Sequence, residues 1–122
     1  MRLGNVELPL QTCRLVGDIL SHVGDKWSVL IIVLLREAPR RYSELEREIG
    51  TVSKKMLTTT LRNLERDGFV SRKVTPSIPP RVDYALTALG REVMEPLDVL
   101  ARWALNNSER VVAARNDYDA AK

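Results

Sequence analysis

The chain has 122 residues, 44% hydrophobic and 29% charged, with a formal net charge of +3, which fits one globular domain able to bury a core without staples. Its longest apolar run, Val29 to Leu35, falls far short of the ~20 residues a membrane span needs, and the first ten residues lack a basic start followed by an apolar core. One cysteine, Cys13, rules out an internal disulfide and a CxxC motif, so the expectation is a cytoplasmic protein with no membrane association, metal or cofactor.

In chain order, Leu15, Val16, Ile19, Leu20 and Val23 recur with helical period, so the first element is an amphipathic helix. Gly24 breaks it, and Asp25 is placed to cap a second helix from Lys26 to about Glu37. That segment (KWSVLIIVLLRE) is apolar almost all round, which predicts the central core helix, and Pro39 ends it. A short helix follows in RRYSELEREIG, where Ser43 and Glu46 have the spacing of a capping box and Gly50 closes the turn. Ser53 caps the next helix, whose buried stripe is Met56 or Leu57, then Leu61 and Leu64, and Gly68 stops it in a left-handed conformation. The loop between these two helices is about four residues long, so they must cross sharply, which is helix-turn-helix geometry.

Beyond Gly68 the period changes to two. Phe69 to Val74 reads as a strand and Val82 to Leu86 as its return, with a stiff proline-rich tip (TPSIPPR) between them. Helices followed by such a hairpin predict a mainly α winged helix-turn-helix with a small β-hairpin wing. Thr87 caps a long C-terminal helical region that Pro96 kinks or restarts.

Charge is concentrated on this module. Between Ser53 and Val82 stand Lys54, Lys55, Arg62, Arg66, Arg72, Lys73 and Arg81 against Glu65 and Asp67, a balance of +5 that leaves −2 for the rest of the chain. A basic module on a slightly acidic body is the footprint of a polyanion binder. The helix from Ser53 would fasten its leucines to the core and present Lys54, Lys55, Thr58, Thr59 and Arg62. A threonine there can bond a phosphate or base edge, and Arg62 can fork onto guanine. Arg41 and Ser43 would set the preceding helix against the phosphate backbone. Arg72, Lys73 and Arg81 would come from the wing, although Arg81 could instead pair with Asp83 or Glu65. A face of lysines and threonines can also be merely solvated.

The ordered set of segments resembles the HxlR-type branch of the MarR-like winged-helix regulators. It is carried by Gly24 to Trp27, Tyr42-Ser43-Glu44-Leu45, Ser53 to Leu57, Leu61 to Arg72, and Pro79-Pro80-Arg81-Val82-Asp83-Tyr84 with Leu86 to Gly90. Cys13 and Tyr118-Asp119 also fall where that family has them, so the likeness spans roughly Cys13 to Asp119. It implies a homodimeric transcription regulator binding a pseudo-palindromic operator in double-stranded DNA, with residues 1–122 as one winged-helix domain. Residues 13–86 would form the helical core, helix-turn-helix and wing, and 87–119 the dimerisation helices. It further implies that an oxidant or small molecule can act as effector, with oxidant or electrophile sensing through Cys13. Many relatives have proline after that cysteine, where this chain has Arg14.

Val93, Leu97, Leu100 and Ala104, with Trp103 nearby, recur at heptad-like spacing and would face the partner, or pack on the chain's own core. Cys13 reads either as a small buried hydrophobe or as a reactive thiolate favoured by Arg14 beside it and by Arg2. A metal-ligand role is poor, because His22 is the only histidine; His22 itself reads as a partly exposed surface or packing residue. Trp27 and Trp103 read as core or interface aromatics. No serine-histidine-acid set or phosphate-cradling glycine loop can be assembled, so an enzyme is not expected. A winged helix used for protein contact and a ligand-responsive regulator without redox sensing remain as alternatives.

Overall fold

A computed structural model describes residues 2–121. A two-stranded hairpin, β1 (Arg2–Leu3) and β2 (Val6–Glu7), precedes four helices: α1 (Leu10–Val23), α2 (Lys26–Glu37), α3 (Tyr42–Ile49) and α4 (Lys54–Arg66). Between α2 and α3 lies a two-residue strand, β3 (Arg40–Arg41); after α4 come β4 (Val70–Thr75), β5 (Arg81–Leu86), α5 (Ala88–Asn106) and α6 (Ser108–Ala120). Among the described residues no helix is long and apolar enough to cross a membrane.

The core forms where α2, α4, β5 and α5 meet. Ile31, Ile32, Leu45, Leu57, Leu61, Leu64 and Val70 are essentially inaccessible, and Phe69, Tyr84, Leu86, Met94 and Leu97 close around them. Helix α2 is less enclosed than its composition suggests: Ile31, Ile32 and Leu35 are buried, but Leu30 and Val33 remain about two-fifths exposed. Asp25 caps it as expected, its carboxylate accepting from the Trp27 N–H at 3.1 Å. Trp27 packs half-buried against the core, with the Lys26 ammonium 4.6 Å above its ring.

Three local readings are sharpened. Helix α1 extends N-terminal of the periodic stretch from Leu15 and begins at Leu10, where Pro9 supplies a fixed φ before its first turn and the Cys13 N–H bonds the Pro9 carbonyl. Helix α3 starts at Tyr42, so Ser43 lies inside the first turn. Glu44, rather than Glu46, closes the cap by accepting from the Arg41 N–H at 3.0 Å. In α4 the stripe is set by Leu57, Leu61 and Leu64 with Thr60, whereas Met56 is 44% exposed. Thr60 is tolerated inside because its hydroxyl donates to the Met56 carbonyl at 2.8 Å.

The turn after α4 joins the helix-turn-helix to the wing. The Phe69 N–H bonds the Leu64 carbonyl at 2.9 Å and the Gly68 N–H bonds the Glu65 carbonyl at 3.1 Å, while Gly68 has φ +85°. This is a Schellman stop, which requires a left-handed residue that glycine adopts without a Cβ penalty. Phe69 is thereby turned into the core, and β4 leaves with Val70 buried beneath it. The sheet order is β3-β5-β4, all antiparallel, with Val70 opposite Leu86 at the core end and Thr75 opposite Arg81 at the far end. Strand β4 is shifted one residue toward the C-terminus from its expected bounds, and β5 begins one residue early and ends at Leu86 as expected; β3, pairing Arg40 with Tyr84 and Arg41 with Asp83, has no counterpart in the sequence reading.

Thr87 ties the C-terminal half on. Its N–H bonds the Phe69 carbonyl at 3.1 Å, its hydroxyl donates to the Gly68 carbonyl, and the same oxygen accepts from the Gly90 N–H at 3.1 Å. Helix α5 then runs unbroken through Pro96 for 19 residues; the helical region breaks instead at Asn107. Helix α6 buries no residue of its own.

Candidate nucleic-acid interface

Two residues fix the start of α4. The Ser53 hydroxyl accepts from the Met56 N–H at 3.1 Å, satisfying one of the helix's orphan donors. From α3, the Tyr42 hydroxyl lies 3.1 Å from both the Lys54 carbonyl and the Thr58 hydroxyl. A carbonyl can only accept, so the single phenolic proton goes to Lys54 and Thr58 donates to Tyr42. Thr58 therefore offers only acceptor capacity outward: it can take an N–H from a base amino group but cannot donate to a phosphate. The sequence reading allowed it both, and it missed Tyr42 as the brace between the two helices of the motif.

Opposite the buried leucines, Lys54, Lys55, Thr58, Thr59 and Arg62 are all exposed. At 100° per residue, the outermost line runs Lys55, Thr59, Arg62 and Arg66, with Lys54 and Thr58 on its flank. Arg66 is exposed and was omitted from the candidates, although its spacing of seven from Thr59 and four from Arg62 places it on their face.

The α3 end of this surface continues into the wing. Arg41 and Ser43 are exposed at the start of α3. They line a cleft of about 540 Å³ with Ser77, Pro79, Pro80 and Arg81 from the hairpin tip, and Tyr42 forms part of its wall. Arg72 and Lys73 stand exposed on β4. Arg81 pairs with Asp83, its Nε donating to the two carboxylate oxygens at 3.0 and 3.2 Å. This is the pairing the sequence analysis set against a free Arg81. Both bonds use Nε, so the carboxylate orients the guanidinium, and none of the described residues takes its terminal amino groups.

The remaining candidates divide. On α5, Val93 and Leu97 turn inward onto the chain's own core, whereas Leu100, Trp103 and Ala104 are exposed, Trp103 at 57%. Leu15, Ile19 and Leu20 on α1 are exposed as well. Cys13 is half-buried in the first turn of α1, its thiol 3.8 Å from the Leu8 carbonyl. His22 is partly exposed, as read, and its Nδ1 lies 2.6 Å from the Asp67 carboxylate. Among the described residues, no group of three or more His, Cys, Asp or Glu side chains gathers in a way that could hold a metal.

A match to the description "HxlR-like helix-turn-helix" covers residues 22–112. The chain belongs to this family. The HxlR-type chain is 47% identical over 103 residues to the uncharacterized HTH-type transcriptional regulator YtfH of Escherichia coli (strain K12), covering 84% of its own length and 82% of the relative's. Its fold superposes on the structure of ytfH from Salmonella typhimurium with a TM-score of 0.75 at 44% identity, covering 83% of this chain and 90% of that one. The redox regulator HypR in its reduced form gives a TM-score of 0.73 at 31% identity, covering 80% and 97%. The diamide-treated YodB of B. subtilis gives 0.68 at 30%, covering 83% and 96%. The fold is thus the MarR-like winged helix, and the HxlR-type chain is a DNA-binding transcriptional regulator by family.

Proposed function

We propose that the chain binds a pseudo-palindromic operator in double-stranded DNA as a homodimer, each copy laying α4 in a major groove and its wing along the flanking backbone. One observation carries this reading: Tyr42 braces the start of α3 to α4 at Lys54 and Thr58, and the same start of α3 shares a cleft with Arg81 at the wing tip. A 13-residue helix is roughly 20 Å long, and the major groove of B-DNA admits such an element. Arg62 reads base edges, with Thr58 and Thr59 beside it. Lys54, Lys55, Ser53, Arg41, Ser43, Arg72, Lys73 and Arg81 hold the phosphates and fix register. In this reading residues 1–122 are one winged-helix unit, with 13–86 the DNA-binding part and 87–119 the dimerising part.

The second copy is argued from exposed apolar surface. Leu100 and Trp103 on α5 and Leu15 and Leu20 on α1 stand unpaired among the described residues. Helix α6 is too short to be stable in water by itself. Two half-sites about 34–36 Å apart then match two copies of α4 related by a two-fold axis. Light scattering at micromolar concentration should give twice the chain mass of 13.8 kDa. A mass of one chain would sink the dimer.

A second reading concerns control. Among the matched structures, HypR appears in oxidised and reduced forms and YodB in reduced and diamide-treated forms, and Cys13 is the one thiol this chain has. With no second cysteine in the chain, its reversible oxidation products are a sulfenic acid, a mixed disulfide with an external thiol, or a Cys13–Cys13 bridge between copies. Diamide should lower operator affinity at least tenfold in wild type and leave Cys13→Ser unmoved. Equal affinity in both states would turn the effector search to small molecules.

A further inference from the structure

Ser28 stands where the inward stripe of α2 calls for an apolar side chain. It is in register with Ile31, Ile32 and Leu35 and is only 2% exposed. Burying a hydroxyl without a hydrogen bond is unfavourable. No described residue bonds this one, which opens instead into a pocket of about 150 Å³. The pocket lies between the end of α1, the start of α2 and the flank of α4 that carries Thr60 and Asn63. Lys54 and Thr58, which Tyr42 braces, are on the opposite flank of α4.

The polar groups around the pocket have mostly given their protons elsewhere. Thr60 donates to the Met56 carbonyl at 2.8 Å and Ser21 to the Asp18 carbonyl at 3.0 Å, so each has only lone pairs left to offer. His22 directs Nδ1 at the Asp67 carboxylate, 2.6 Å away. Asp25 caps α2 with one carboxylate oxygen, and its second oxygen has no partner among the described residues. The Asn63 amide can both give and take. Neither lysine nor arginine lines the pocket. It is therefore rich in acceptors and carries one carboxylate, the wrong chemistry for an anion and the right one for a small donor-rich cation.

We propose that this pocket binds a compact cation bearing several N–H donors, of the guanidinium class. Asp25 takes its charge, while Ser28, Thr60 and Asn63 accept its protons. At about 30 Å³ for each water-sized group, the space holds guanidinium and little more. Such a ligand gives the Ser28 hydroxyl the partner that the fold does not. The site is a property of the free chain, so its test stands apart from the DNA-binding reading.

Guanidinium chloride titrated at millimolar concentration, far below the molar range that unfolds proteins, and followed by amide NMR tests this directly. Shifts should saturate with a Kd of about 1 mM, within the limit for so small a ligand. They should be confined to the surroundings of Ser28, Thr60 and Asn63, and potassium chloride at equal concentration should not produce them. Asp25→Asn keeps a good helix cap but removes the charge, and should weaken binding on the order of tenfold. Ser28→Ala should weaken it severalfold and leave the melting temperature without guanidinium unchanged, because the hydroxyl has no partner within the chain. Shifts that rise linearly and spread over the whole chain, or that potassium reproduces, would overturn the proposal in favour of water alone in the pocket. Equal binding by Asp25→Asn, or a Ser28→Ala protein that melts well below wild type, would overturn it as well.

Discussion

Gly90→Ala should lower the melting temperature by roughly 10 °C. A Cβ built on Gly90 would lie 2.2 Å from the Phe69 carbonyl oxygen and 3.0 Å from the Leu86 side chain. The first of these is a backbone atom, and it already accepts from the Thr87 N–H. The methyl group can be admitted only by moving the start of α5 away from the turn that ends α4. That movement strains the Thr87 hydroxyl bond to Gly68, the Schellman stop and the seating of Phe69. Overpacking a tight contact costs about 1–3 kcal/mol, more where backbone must shift. Differential scanning calorimetry measures it directly, and a change within 2 °C (roughly half a kcal/mol) would mean that α5 is not clasped to the wing as described. The substitution should also weaken DNA binding, because the same turn sets the angle between α4 and β4.

Arg62→Ala should reduce operator affinity by about 1–3 kcal/mol, roughly five- to 150-fold, and relax base preference at one position in each half-site. Its melting temperature should stay unchanged, since Arg62 is exposed and its helix is held by Leu57, Leu61 and Leu64 behind it. Lys55→Ala and Arg81→Ala should instead weaken binding to every sequence by similar, smaller amounts and flatten the salt dependence. The contrast between the two patterns, read by anisotropy on selected and scrambled duplexes, distinguishes a base contact from a phosphate contact. If neither class of variant changed affinity, α4 would not be the recognition helix.

Much of this molecule was legible because its signals are periodic. The leucines of α4, the two-residue alternation of the wing, and the caps at Asp25, Ser53 and Thr87 each follow from short-range chemistry, and the structure has them where that chemistry puts them. Period alone could not choose between Met56 and Leu57 as the first buried position. Nor could it see β3, which is too short to alternate and exists because β5 offers a free edge. The brace from Tyr42 to Lys54 and Thr58 depends on how two helices cross, and no spacing along the chain encodes that. Arg81 and Asp83 are two apart on one strand, hence on one face, so their pairing was open to inspection but not decidable from sequence. Heptad spacing on α5 marks a hydrophobic seam without saying whose: Val93 and Leu97 belong to the chain's own core, while Leu100 and Trp103 lie beyond it. Arg66 counts toward the basic charge of residues 53–82 in the sequence, and helical spacing from Thr59 and Arg62 places it on their face.

The most direct test of the account is a salt titration of anisotropy on a duplex selected from random DNA by the protein, with stoichiometry measured on the same sample. Two chains should bind per duplex, with affinity falling about thousandfold between roughly 50 and 200 mM salt, as expected when six or more phosphates are neutralised. One chain per duplex, or an affinity that salt does not move, would contradict a dimer reading DNA through α4 and the wing.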